Sequence, residues 1–66
     1  MRKFALLKFY PLAGRTLNLE INEISFPTKR AAVDGFQKLY PELNLDKTGC
    51  AKHGEISYCV MERFSN

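Results

Sequence analysis

The chain has 66 residues, 45% of them hydrophobic and 26% charged, with a formal net charge of +3. That is too apolar for a disordered chain, and enough for one small core that buries only about 60% of the surface an unfolded chain exposes. The charge is mildly basic, well short of a nucleic-acid tail, and no apolar run approaches the roughly 20 residues that span a bilayer.

These bounds predict one domain over residues 1–66 and no membrane partner. Met1–Gly14 has some features of a signal peptide, with Arg2 and Lys3 ahead of an apolar stretch and Leu12-Ala13-Gly14 behind it. Lys8 interrupts that stretch, which reads better as a strand. Two cysteines without a signal point to free thiols in a reducing cytoplasm. Starting at Met1, the chain is expected to be complete as a tiny protein.

The first predicted strand is Lys3–Tyr10. Read with period two, Phe4, Leu6 and Tyr10 point one way and Ala5, Leu7 and Phe9 the other. A strand apolar on both faces belongs in the middle of a sheet. Pro11–Thr16 is turn-like and leads into a second strand, Leu17–Phe26. Leu17, Leu19 and Ile21 alternate with Asn18, Glu20 and Asn22; the apolar phase then slips to Ile24 and Phe26, which predicts a β-bulge near Asn22-Glu23.

A helix of 12 or 13 residues should follow Pro27, with Thr28 as its N-cap and no capping box, since position 31 is Ala. Ala32, Phe36, Leu39 and Tyr40 form its apolar stripe, with Val33 at the edge. Gly35 weakens the helix and is expected to let its backbone sit close to a strand. Pro41 ends it.

Glu42–Gly54 reads either as a long loop or as a weak edge strand near Lys47–Ala51, with a turn at His53-Gly54. The last strand, Glu55–Arg63, sets Ile56, Tyr58 and Val60 on one face and Ser57, Cys59 and Met61 on the other. Phe64–Asn66 is a tail. A right-handed crossover places the last strand beside the first.

The predicted fold is a small α+β domain, a mostly antiparallel sheet of three or four strands with one helix on one face, in ββαβ or ββαββ order. The coarse order is similar to that of many small phage-encoded proteins, some of which bind and inhibit host enzymes. The resemblance implies a binding role and no residue roles.

One helix covers one sheet face. If Leu17, Leu19 and Ile21 lie under it, the open face carries Ala5, Leu7, Phe9, Cys59 and Met61 inside a polar rim, unless Leu12 or Phe64 folds over them. Exposed apolar patches on small proteins mark interfaces. The first functional expectation is therefore a non-catalytic protein-binding module, an adaptor, an inhibitor or a homodimer. It would use the open face, a sheet edge, or the loop carrying Lys47, Lys52 and His53.

The second expectation is a small basic nucleic-acid binder using Lys29, Arg30 and Lys38, since aromatics amid cationic residues can stack single strands. Cys50, His53 and Cys59 lack a fourth ligand and the tight spacing zinc favours. A Cys50–His53 nucleophile pair has no clear orienting carboxylate beyond Asp46. With no phosphate loop or hydrolase motif either, no enzyme activity, cofactor, metal or small-molecule substrate is expected.

Overall fold

Ala13 and Gly14 both have positive φ, 54° and 75°, and together close a two-residue hairpin of the kind that matches strand twist. The hairpin joins β1 (Arg2–Leu12) to β2 (Arg15–Phe26), and the chain continues through α1 (Lys29–Leu39), a single 3-10 turn (Pro41–Leu43), β3 (Cys50–His53) and β4 (Ile56–Arg63). This is a computed structural model, and it describes residues 1–64. The predicted tail beyond Phe64 lies outside them. Pro11 sits inside β1 opposite Thr16, so the turn is tighter than Pro11–Thr16.

The four strands form one antiparallel sheet in the order β2-β1-β4-β3. β1 is interior, as its two apolar faces require. The fold is thus a small α+β domain in ββαββ order. The short edge strand β3 lies at Cys50–His53, later than the expected Lys47–Ala51. Its turn falls on Gly54-Glu55, where Gly54 takes a φ of 65°.

The bulge is present, one step earlier than expected. Leu6 pairs with Asn22 and Leu7 with Glu20, leaving Ile21 as the extra residue. The slip turns Ile24 and Phe26 onto the same face as Phe4 and Leu6.

Thr28 caps α1, its hydroxyl accepting from Ala31 N–H at 3.1 Å. Phe36 and Ala32 are fully buried and pack with Phe4, Leu6, Leu43 and Val60, supported by Ile24, Phe26, Val33 and Tyr40. Leu39, expected in the stripe, is 55% exposed. Leu17, Leu19 and Ile21 are not under the helix. Leu17 and Leu19 pair with Tyr10 and Lys8, on the helix side of the sheet but outside the buried core. Eleven residues of helix cannot shelter a twelve-residue strand: a helix rises about 1.5 Å per residue and a strand about 3.3 Å.

Among the described residues, no helix is long and apolar enough to cross a membrane.

Candidate functional site

Ala5, Leu7, Phe9, Cys59 and Met61 share the sheet face opposite the helix. Ala5 pairs with Met61, Leu7 with Cys59 and Phe9 with Ser57. No described element packs over this face: Leu12 and Phe64 stay 56% and 84% exposed.

The face is nonetheless less open than expected. Ala5 is fully buried and Leu7 is 6% exposed, so neither offers contact surface, which corrects their placement among the exposed binding residues. Charged side chains of the sheet lie on the same face. Arg63 on β4 reaches across β1 to Glu20 on β2 at 3.8 Å, and Lys3 meets Glu23 at 3.9 Å. Both pairs run diagonally past the small Ala5. What remains accessible is Met61, with Phe9 and Cys59 half-buried.

The loop residues divide. Lys47 lines a groove of about 670 Å³ with Lys29, Arg30, Asp34 and Asp46. Lys52 lies on the exposed part of β3, and Lys38 near the end of α1, outside the groove. His53 Nε2 is 3.0 Å from the Leu43 carbonyl. A carbonyl only accepts, so Nε2 carries the proton.

His53 sits three positions from Cys50 along β3, so strand alternation points it to the other face of the sheet. The Cys50–His53 pair and a Cys50, His53, Cys59 metal set are both separated by the sheet. Asp46 is committed elsewhere: its Oδ1 accepts from Thr48 N–H at 2.9 Å, Thr48 Oγ1 at 2.6 Å and Cys50 N–H at 3.0 Å. Those bonds, the Thr48 hydroxyl first, hold its carboxyl below the ordinary 3.8. At the opposite corner Arg2 grips Glu62 through Nε and Nη2, at 2.8 and 2.6 Å, which lowers the Glu62 carboxyl.

Two arrangements escaped sequence reasoning. The first is the edge of β2, where Leu19 is 54% and Ile21 38% exposed. β2 pairs with β1 on one side and with no described strand on the other. The second is Cys50 directly opposite Cys59. Placing the turn on Gly54-Glu55 rather than His53-Gly54 would have revealed that pairing, since a turn one residue earlier sets Cys50 opposite Ser57.

Comparison with family models, with curated proteins and with solved structures finds no match to this chain.

Proposed function

We propose that the protein is a non-catalytic protein-binding module, of adaptor or inhibitor type, that takes an extended strand of a partner protein onto the free edge of β2. One observation carries this reading: Leu19 and Ile21 are exposed on a twelve-residue edge strand. Natural edges are guarded by brevity, lysine or proline. β3 is guarded in this way, with four residues and Lys52. β2 has no lysine and no proline; its guards are the bulge at Ile21 and the charges of Arg15, Glu20 and Glu23, and both glutamates are paired, with Arg63 and Lys3. The regular run Arg15–Glu20 therefore offers main-chain donors and acceptors together with Leu17 and Leu19, the combination used in strand addition. The accessible part of the opposite face, Phe9 and Met61, supplies a secondary contact. The two free thiols fit a cytoplasmic setting.

The test is recovery of partners from the source cell with wild type and an L19K/I21K variant, at low and high salt and with nuclease. A single protein that resists salt and nuclease and is lost with the variant supports the reading. Equal recovery by both forms removes the β2 edge. Sedimentation of wild type alone reports whether a second copy serves as the partner.

A second reading is a small basic nucleic-acid binder. Lys29, Arg30 and Lys47 converge on one groove, which favours an anionic partner, although Asp34 and Asp46 line the same groove. Affinity for a generic oligonucleotide that falls steeply with salt, and falls further in a K29A/R30A variant, would support it.

A further inference from the structure

Cys50 and Cys59 are Cα partners in the β3–β4 ladder. Antiparallel pairs alternate between hydrogen-bonded and non-hydrogen-bonded positions, and side chains come closest at the second kind. The cysteines occupy the second kind. The adjacent pair is bonded, with Val60 N–H donating to the Gly49 carbonyl at 2.8 Å. Cys50 turns both of its main-chain groups away from β4: its N–H donates to Asp46 Oδ1 at 3.0 Å, and its carbonyl accepts from Asp46 N–H at 2.9 Å.

Cα atoms at such positions stand about 4.5 Å apart, inside the range of about 4.4–6.8 Å that a disulfide spans. Both thiols are free and half-buried. Cys59 lies opposite Leu7, on the face that no described element covers, so a small oxidant can reach the pair. We propose that Cys50 and Cys59 are a redox-modification site, closing reversibly into an intrachain disulfide that clasps the edge strand β3 to β4.

The oxidant is a low-molecular-weight disulfide such as oxidised glutathione. Burial, and then the neighbouring Cys50 thiol, pushes the Cys59 thiol up to about 11; it stays protonated at neutral pH, and exchange begins at Cys50. The Cys50 thiolate attacks one glutathione sulfur, forming a mixed disulfide and releasing the other glutathione as a thiolate that takes a proton. Cys59 gives up its proton to solvent, attacks Cys50 Sγ, and releases the second glutathione. One small disulfide is reduced to two thiols while two protein thiols are oxidised to one disulfide. A cross-strand bond at the short end of permitted separations, on a sheet face that no described element covers, is of the type that small thiols reduce again.

Purified wild-type protein in glutathione buffers of graded oxidation tests this, read by intact mass after alkylation. The expected product is a monomer lighter by two hydrogens, with no alkylatable thiol, whose melting midpoint is higher by on the order of 10 °C and returns with dithiothreitol. A C59S variant should instead hold glutathione on Cys50. Wild type that ends as a stable glutathione adduct, that links only between chains, or that keeps both thiols in excess oxidised glutathione overturns the proposal. The wild-type mass decides the matter even if C59S fails to fold.

Discussion

Gly35 lies directly against Phe26: a β carbon added to the glycine would stand 2.5 Å from Cε1 and Cζ of the ring. That contact is where the helix seats on the end of β2, and Phe26 in turn meets Phe36 edge to face at 5.5 Å. Two effects oppose each other at this site. Alanine would gain up to about 1 kcal/mol of helix propensity, while forcing a methyl into a packed contact costs about 1–3 kcal/mol. We expect G35A to lower stability by about 1 kcal/mol in urea unfolding, and an F26L change to return part of the loss. A stabilised G35A would show that the ring moves aside freely.

The two large apolar residues of α1 should behave very differently. Phe36 is fully buried, and truncating it costs about 3–5 kcal/mol, enough to unfold a domain of this size. Leu39 is largely exposed, and L39A should cost less than about 0.5 kcal/mol. Circular dichroism melts of the two variants make the comparison.

Ala13 occupies a left-handed conformation, φ 54°, at the first position of the β1–β2 turn. A side chain other than Asn or Asp costs about 1–2 kcal/mol there, and Asn-Gly is the preferred pair for such turns. A13N should therefore stabilise the protein by about 1 kcal/mol, seen as a higher urea midpoint with an unchanged slope.

Asp46 makes stability pH-dependent. Its folded carboxyl lies below the ordinary 3.8, so its contribution is present above that value and lost as pH falls through the lower folded value. Glu62, lowered by Arg2, acts in the same direction. In D46N the neutral side chain accepts more weakly from Thr48 and Cys50. Wild type should be the more stable form at neutral pH, and the difference should close below about pH 4. A gap that persists in acid would mean that the charge of Asp46 is not what matters.

Much of this architecture is legible in local patterns. Alternation in Lys3–Tyr10 marks a central strand, the phase slip after Ile21 marks a bulge, and Thr28 and Pro41 bracket the helix. These are short-range signals, because strand period, capping and proline sterics depend on neighbouring residues alone. The misjudged features depend on where elements stop relative to one another. Leu17 and Leu19 repeat the apolar period as well as Ile24 and Phe26 do. Nothing local says that the helix is too short to reach them.

The sequence by itself determined the element types, the central place of β1, and the division of its side chains between two faces. Tertiary structure decided which of those side chains water can reach. Ala5 is fully buried and Leu7 nearly so, on a face where ion pairs join residues far apart along the chain, Arg63 with Glu20 and Lys3 with Glu23. It also decided that Cys50 faces Cys59, because a single step in the position of a tight turn shifts every cross-strand partner by two. Register and coverage are long-range properties, set by packing the whole sheet against one helix, and no window of neighbouring residues contains them.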